Sequence, residues 1–256
     1  MATEVRDAAT VVLLRDEALP EGGTSLEVFM VRRHARSGFV GGHHVFPGGV
    51  VDEDDRDPEW SGRCRGRFDP FAVAAIRELL EEAGVLLAAH RDTGAPVAIG
   101  PARVGALARA VHDGRQRFID ACRAEDLEIR VDDLALWSHW ITPEGEPRRY
   151  DTRFFAAVAP ADQEAIHDDL ELTEGTWGSP ASFLEQHRLG EIQMILPTVA
   201  TLRSIETLTS SADVLEVAAA KGPIEPTAPE LRREPDGSAS IFIDGQFVWT
   251  LPPPSG

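Results

Sequence analysis

Two early segments of the chain have the apolar pattern of β-strands. Residues 9–14 and 26–32 are rich in aliphatic and β-branched side chains, and a proline and two glycines lie between them. Strand-forming runs joined by such turn residues predict a hairpin-like pair. Residues 37–49 follow with five glycines, so we expect a loop there that contains a short strand around residues 44–46.

A helix with clear start and stop signals is predicted over residues 71–83. Asp69 is suited to the N-cap, Pro70 to the first helical position and Gly84 to the C-terminal cap. At about 100° per residue, one face of this helix is apolar. This face carries the stripe expected of a helix that packs on a core, namely Ile76, Leu79, Leu80 and Ala83.

The rest of the chain interleaves helical and extended patterns irregularly. Helices are predicted within residues 101–123, from residue 180 and over residues 196–208, and strands over residues 134–142 and 153–159. This order favours an α/β sandwich with a mixed sheet over a regular array of βαβ units.

Two stretches stand apart from this pattern. Residues 52–67 are polar with few aliphatic side chains, and we interpret them as an exposed insertion. Residues 222–235 hold four prolines and predict a connector, which precedes a hairpin-like segment over residues 240–251. We therefore expect one main domain over residues 1–220, with an insertion at about residues 56–68, and a C-terminal extension over residues 221–256.

The net charge of the chain argues against some classes of function. The formal net charge is −18 over 256 residues, which argues against a nucleic-acid binder or an anionic-membrane binder, because both need a basic face. An acidic protein can still bind an anion where its carboxylates hold divalent cations. Cys64 and Cys122 lie outside any metal-binding spacing, and no apolar run approaches the ~20 residues of a membrane span. We expect a cytoplasmic protein with reduced thiols.

The polar face of the predicted helix carries three carboxylates. Glu78, Glu81 and Glu82 recur at the i, i+3 and i+4 positions, where like charges repel each other by roughly 0.2–0.5 kcal/mol per pair. A solvated glutamate face is the simpler interpretation of such a cluster taken alone. A preceding glycine turn, Gly48-Gly49, favours a functional interpretation, because glycines let the backbone approach a phosphate while the carboxylates hold Mg²⁺ or Mn²⁺.

These two motifs together resemble the signature of the Nudix hydrolases. Residues 77–85 match the second half of that signature, REUxEExGU with U aliphatic, and Gly49 begins the first half. The sixth position after Gly49 is Asp55 rather than Glu. The whole signature is called the Nudix box, and 21 residues separate Asp55 from Arg77 where the standard box has seven, so the box of this chain is elongated. The resemblance implies an α/β/α sandwich and a Nudix-type metal-dependent hydrolase.

A second segment narrows the resemblance to one branch of the family. Trp140-Ile141-Thr142-Pro143, and then Arg148-Arg149-Tyr150-Asp151-Thr152, are similar to a stretch of the branch with an elongated box. That branch includes the peroxisomal coenzyme A diphosphatase. The spaced arginines that usually precede the glycine loop of coenzyme A-cleaving members do not fall in register here.

The resemblance implies roles for the residues of the box. Glu81 and Glu82 are expected to bind the metal ion, Glu78 to bind it or to act as the base, and Arg77 to orient the glutamates. Asp55 is a further expected metal ligand, with Glu53 as the alternative.

Residues outside the box are expected to complete the site. Many relatives use a carboxylate from a loop before a tryptophan, and here Glu171 and Glu174 precede Trp177, so either is a candidate base or an ordinary loop charge. Backbone at Gly48 and Gly49 is expected to approach the substrate phosphates. Three arginines are candidates for binding those phosphates or for a plain surface role, namely Arg33, Arg148 and Arg149.

The expected reaction is hydrolysis of a diphosphate bond in a small nucleoside diphosphate-linked substrate, with coenzyme A or acyl-coenzyme A as the leading substrate. A nucleotide-sugar, dinucleotide or nucleoside triphosphate pyrophosphatase is the enzymatic alternative. A nucleotide-binding Nudix regulator without activity is the other alternative, although such a module does not need all three glutamates. A homodimer remains open.

Overall fold

The computed structural model describes residues 3–34, 41–97, 100–165 and 172–251. Strands β1 (Val5–Ala18) and β2 (Thr24–Arg33) pair antiparallel, from Leu14 opposite Val28 to Ala18 opposite Thr24. The predicted hairpin is therefore confirmed, with both strands longer than their apolar segments. The apolar pattern marks only the part of each strand that is buried.

A mixed sheet is the centre of the fold. Within the described residues it has seven strands, in the order β10-β2-β1-β9-β8 with β3 on β2 and β4 on β1, and only the β1–β9 pair is parallel. The remaining bounds are β3 (His44–Val45), β4 (Gly48–Val50), β8 (Ala135–Ile141), β9 (Arg149–Val158) and β10 (Leu172–Gly178). The α/β class with a mixed sheet is confirmed.

The short strands β3 and β4 lie where β1 and β2 separate. The β1–β2 pairing ends at Leu14 and Val28; beyond it β3 pairs with β2 and β4 pairs with β1. Pro47 lies between the two short strands, and its carbonyl accepts a hydrogen bond from the amide of Val11 in β1 at 2.8 Å. Residues 44–45 and 48–50 of the glycine-rich segment are thus part of the sheet, which fixes their backbone. The start of the predicted loop, residues 37–40, lies outside the described residues.

Helices cover both faces of the sheet. Alternate β1 residues divide between two cores, with Ala9, Val11 and Leu13 in one and Val12 and Leu14 in the other. The first core also contains residues of α1 (Pro70–Ala83), α2 (Pro101–His112) and α3 (Phe118–Ala124). The second contains residues of α4 (Pro180–Arg188), α5 (Leu196–Ile205) and α6 (Ser211–Ala220). This arrangement is the expected α/β/α sandwich.

The signals that bound α1 act as predicted. The Asp69 side chain accepts the amide of Phe71 at 3.0 Å, and Pro70 is the first residue of the helix. Gly84 ends it in the left-handed conformation at φ 62°, which glycine adopts without steric strain. The predicted apolar stripe is fully buried against the sheet.

Residues 52–67 are mostly exposed, as expected, but two side chains of the segment, Asp55 and Trp60, are buried. The segment folds into two 3₁₀ turns, Glu53–Arg56 and Pro58–Gly62, and strand β5 (Cys64–Arg65). Trp60 is only 1% exposed, and its ring lies 5.2 Å from that of Phe118 in α3. Strand β5 pairs with β7 (Leu127–Arg130), which also pairs with β6 (Ala88–His90). One aromatic anchor and a strand pair attach this polar segment to the core.

The C-terminal extension contains the predicted hairpin, and in the part that the structure describes a third strand extends it to a three-stranded sheet. Strand β11 (Glu230–Arg233) lies within the predicted connector and pairs with β12 (Ala239–Ile243), which pairs with β13 (Gln246–Leu251). The hairpin turn falls at Asp244-Gly245 as predicted, and both residues have positive φ. No helix in the described ranges is long and apolar enough to cross a membrane.

Candidate active site

The carboxylates of α1 surround one buried guanidinium. Nη1 of Arg77 donates to Glu78 Oε1 at 2.7 Å and to Glu81 Oε1 at 3.0 Å. The side chains of Arg77, Glu78 and Glu81 are only 9%, 15% and 10% exposed. This face of α1 is therefore not a solvated glutamate face, and the arginine holds its two glutamate neighbours by charge-assisted hydrogen bonds.

Asp55 occupies the other edge of the same guanidinium. Its two carboxylate oxygens accept from Arg77 Nε at 2.9 Å and Nη2 at 2.8 Å, and Oδ2 also accepts the amide of Asp52 at 2.8 Å. Asp55 is 1% exposed. Both oxygens of Asp55 thus face Arg77 in a bidentate pair. The role of Asp55 as a metal ligand stays a prediction.

The glycine pair lies directly against the carboxylates. The amide of Gly48 donates to Glu82 Oε2 at 2.8 Å. A Cβ atom on Gly49 would lie 2.4 Å from Glu78 Oε1, and one on Gly48 would lie 2.4 Å from the carbonyl oxygen of Ala9. Glycine is required at both positions by close approach rather than by positive φ. The structure thus explains these glycines through the packing of Glu78, Glu82 and β1.

Burial and mutual repulsion shift the titration of this cluster. Burial raises the pKa of Glu78 to about 7; the Arg77 guanidinium opposes this shift and the Glu81 carboxylate adds to it. Burial also raises the pKa of Asp55, against the hydrogen bonds that it accepts from Arg77. Three carboxylates, those of Asp55, Glu78 and Glu81, share one guanidinium, so the site carries excess negative charge in poorly hydrated surroundings.

The donor set fits a hard divalent cation. Carboxylate oxygens are the ligands that such ions prefer, and the excess negative charge favours their binding. Among the described residues, no group of three acidic, histidine or cysteine side chains is arranged to hold a metal ion as it stands. Glu78 and Glu81 face Arg77, and Glu82 faces the Gly48 amide. A carboxylate has about four lone-pair sites, so these hydrogen bonds do not by themselves prevent the glutamates from binding an ion. Metal binding therefore requires the three carboxylates to converge further, not to lose the contacts that orient them.

Comparison with known families agrees with this geometry. The model of the NUDT19 Nudix domain matches residues 68–205, more than half of the chain. The chain belongs to the Nudix family. Members of this family generally use divalent metal ions, which agrees with the carboxylate cluster on α1.

Two curated relatives of this Nudix chain share a name. It is 29% identical over 247 residues to the acyl-coenzyme A diphosphatase NUDT19 of Gallus gallus, a match covering 75% of this chain and 65% of that protein. It is 26% identical over 264 residues to the Homo sapiens protein of the same name, covering 82% and 70%.

A solved structure is also similar. The Nudix hydrolase from Alicyclobacillus acidocaldarius is 29% identical, with a TM-score of 0.73. The match covers 88% of this chain and 99% of that one. The α/β/α arrangement described above is therefore shared by a Nudix hydrolase over nearly the whole of its length.

Glu174 lies on a strand rather than in a loop, contrary to the sequence interpretation. It is opposite Arg32 in the β10–β2 pairing, and His44 is opposite Arg32 on β3. Val28 and Met30, which share the face of Arg32 because side chains alternate along a strand, belong to the core that packs on α4 to α6. Glu174 therefore lies on the sheet face opposite α1. Its role as a base stays a prediction. Glu171, the other candidate, is outside the described residues.

A cleft opens on this second face. It has a volume of about 490 Å³ and is lined by Arg32, His44, Glu174, Phe183, Gln186 and Ile192, among others. Burial lowers the pKa of His44, and the neighbouring carboxylate of Glu174 opposes this. Sequence reasoning missed this cleft, because its walls come from three strands, α4 and the turn after α4.

The arginines expected to bind phosphate lie in different surroundings. Arg33, at the end of β2, is half-buried, and its Nε has no hydrogen-bond partner among the described residues. Arg149 donates through Nε to the carbonyl of Thr142 at 3.1 Å, and Arg148 is exposed. In the β1–β9 pairing Arg149 is opposite Val5, four residues before Ala9, the partner of Gly49. Four residues of strand span about 13 Å, so the pair lies well away from the glutamates.

Sequence reasoning also missed His112. Its Nδ1 lies 3.3 Å from Glu81 Oε2, and its side chain is 24% exposed. His112 is the last residue of α2 and follows Glu81 by 31 positions. No local motif marks it, because only the packing of α2 against α1 brings it to the carboxylates.

Proposed function

We propose that this Nudix chain hydrolyses the diphosphate bond of coenzyme A or acyl-coenzyme A. The observation that carries the proposal is the carboxylate cluster of α1, in which Glu78 and Glu81 contact Arg77 and Glu82 contacts the Gly48 amide, in a chain that matches the NUDT19 Nudix domain. Two relatives named acyl-coenzyme A diphosphatase support the substrate. The products are adenosine 3′,5′-bisphosphate and a 4′-phosphopantetheine compound.

The proposed mechanism assigns a separate task to each residue of the box. Bound Mg²⁺ or Mn²⁺ supplies charge neutralisation at the diphosphate and acidifies the attacking water. Glu81 and Glu82 would hold the ion, Glu78 would bind it or act as the base, and Arg77 sets the direction of Glu78 and Glu81. Asp55 fixes Arg77 through its bidentate pair and is a positioning residue. Most of the rate enhancement then comes from positioning and electrostatics.

The proton of the attacking water passes to a carboxylate. Glu78 is one candidate acceptor, because burial raises its pKa to about 7, which suits a base at neutral pH. Glu174 is the other candidate. Parallel Glu78→Gln and Glu174→Gln variants decide between them, since only loss of the base abolishes the rise of kcat/KM with pH.

The substrate is tested by a panel of diphosphates. The whole chain is incubated with coenzyme A, acyl-coenzyme A, NADH, ADP-ribose and nucleoside triphosphates, and the phosphate products are measured with Mg²⁺ and with excess EDTA. We expect coenzyme A species to give the highest kcat/KM and EDTA to abolish turnover. Faster cleavage of ADP-ribose or NADH would contradict the substrate, and full turnover in EDTA would contradict the metal ion.

The arginine pair is proposed to hold the 3′-phosphate of coenzyme A. Replacing Arg148 and Arg149 with alanine should reduce kcat/KM for coenzyme A about 10- to 100-fold, since a hydrogen bond to a charged group is worth roughly 1.5–3 kcal/mol. Dephospho-coenzyme A, which lacks that phosphate, should be cleaved nearly as fast as by the parent chain. Alanines at Arg188 and Arg232 remove the same charge elsewhere and serve as the control. An equal loss for both substrates would contradict this role.

A further inference from the structure

We propose that His112 is a positioning residue that holds Glu81 for metal binding. Glu81 is held on two sides: Oε1 accepts from Arg77 Nη1 at 3.0 Å, and Oε2 faces His112 Nδ1 at 3.3 Å. One oxygen of Glu81 therefore contacts Arg77 of its own helix, α1, and the other contacts His112 of α2. This inference rests on the metal-dependent function proposed above.

The position of His112 is set by the packing of its helix. Four residues of α2 at helical spacing are buried in the same core as α1, namely Val104, Leu107, Ala108 and Val111. His112 comes directly after the last of them, at the end of α2, so the packing of α2 fixes the backbone that places the imidazole beside Glu81. A half-buried imidazole held in this way limits the side-chain conformations of Glu81.

A contact that orients a metal-binding side chain raises the affinity of the site for the ion. Partners that orient ligating side chains typically contribute about 10- to 100-fold to metal affinity. Glu81 has a flexible side chain, so it loses rotamer freedom when it binds an ion, and a contact that has already restricted it lowers that loss. His112 acts in this way through Glu81, without itself contacting the substrate.

The test measures Mn²⁺ binding to the whole chain, without substrate, by electron paramagnetic resonance. His112→Ala should weaken Mn²⁺ binding about 10-fold. His112→Asn keeps a nitrogen near the place of Nδ1 and should recover most of the affinity. His139→Ala is the matched control, because His139 Nε2 lies 2.6 Å from Asp151 in a comparable imidazole–carboxylate contact outside the α1 cluster. It should bind Mn²⁺ as the parent chain does.

Three results would overturn the proposal. The first is parent-like Mn²⁺ affinity in His112→Ala, whatever its melting temperature. The second is an equal loss of Mn²⁺ affinity in His112→Ala and His112→Asn. Asparagine restores the nitrogen but not the ring, so an equal loss would show that His112 acts by packing and not by its contact with Glu81. The third is an equal loss in the His139→Ala control. Failure of the proposed substrate alone leaves Mn²⁺ binding in place, so the two failures are distinguishable.

Discussion

Glu82 is a residue whose role in catalysis can be separated from stability. It is 6% exposed and accepts the Gly48 amide at 2.8 Å. Glu82→Gln keeps an acceptor oxygen for that amide but removes the charge that the metal ion needs. We expect kcat to fall by at least about 10²-fold with little change in melting temperature. Steady-state kinetics and a thermal melt check this, and parent-like turnover would exclude Glu82 as a ligand.

Asp55 should contribute to stability through Arg77. Asp55→Ala removes a buried bidentate contact, while the charge of Arg77 stays paired with Glu78 and Glu81. Since a hydrogen bond to a charged group is worth roughly 1.5–3 kcal/mol, the free energy of unfolding should fall by about that amount. Urea denaturation measures this loss. The control is Asp54→Ala, because Asp54 is exposed and pairs at the surface with Arg117, where a loss of no more than about 1 kcal/mol is expected. A stable Asp55→Ala variant with weakened Mn²⁺ binding would support the metal role expected from sequence.

At the scale of elements, the inserted segment of the box connects α1 to α3. Trp60 packs on Phe118, and its Nε1 donates to the carbonyl of Asp54 at 3.0 Å, next to Asp55. The insertion therefore supports both the core and the carboxylate that holds Arg77. Deletion of residues 57–66, which an exposed insertion would tolerate, should instead impair folding.

Trp60 tests this role directly. Trp60→Ala removes a fully buried ring and should lower the free energy of unfolding by about 3–5 kcal/mol. Its exposed neighbour provides the control: Glu59 pairs with Arg123 at the surface, so Glu59→Ala should cost no more than about 1 kcal/mol. Chemical denaturation of both variants gives the comparison, and equal stability of the two would contradict the structural role of the insertion.

At the scale of the whole molecule, the C-terminal extension is attached to the main domain at several places. The backbone of Thr227 pairs with that of His139 and Ile141 next to β8. The ring of Trp249 stacks on His187 of α4 at 5.6 Å. Lys221 Nζ lies 3.2 Å from the centre of the Trp137 ring, so residue 221 belongs to the packing of the main domain.

A truncated chain ending at Gly222 keeps Lys221 and tests the proposed boundary near residue 221. We expect it to fold but to melt several degrees lower, since about 1 kcal/mol corresponds to 2–4 °C in a domain of this size. Trp249→Ala in the full chain removes one contact alone and should give a smaller decrease. Calorimetry measures both. An unchanged melting temperature would show that the extension does not stabilise the domain, and failure to fold would contradict the boundary.

The sequence by itself determined the elements that depend on local signals. The apolar pattern places β1 and β2, and the caps Asp69 and Gly84 bound α1, because each signal acts within a few residues of its element. Helical periodicity alone puts Glu78, Glu81 and Glu82 on one face. A local signal also existed for α6, where Ser210 and Asp213 form a capping box. That helix was absent from the sequence predictions.

Only the tertiary structure decided what these residues contact. Asp55 pairs with Arg77, 22 positions away, a contact that the sequence did not predict. His112 reaches Glu81 through helix packing, and the register of β10 on β2 places Glu174 on the face opposite α1. Such contacts join segments distant in sequence, and they depend on register and packing rather than on the composition of any one segment. For this reason the sequence could identify the helix that carries the three glutamates and Arg77, but not the contacts that Asp55 and His112 make with these side chains.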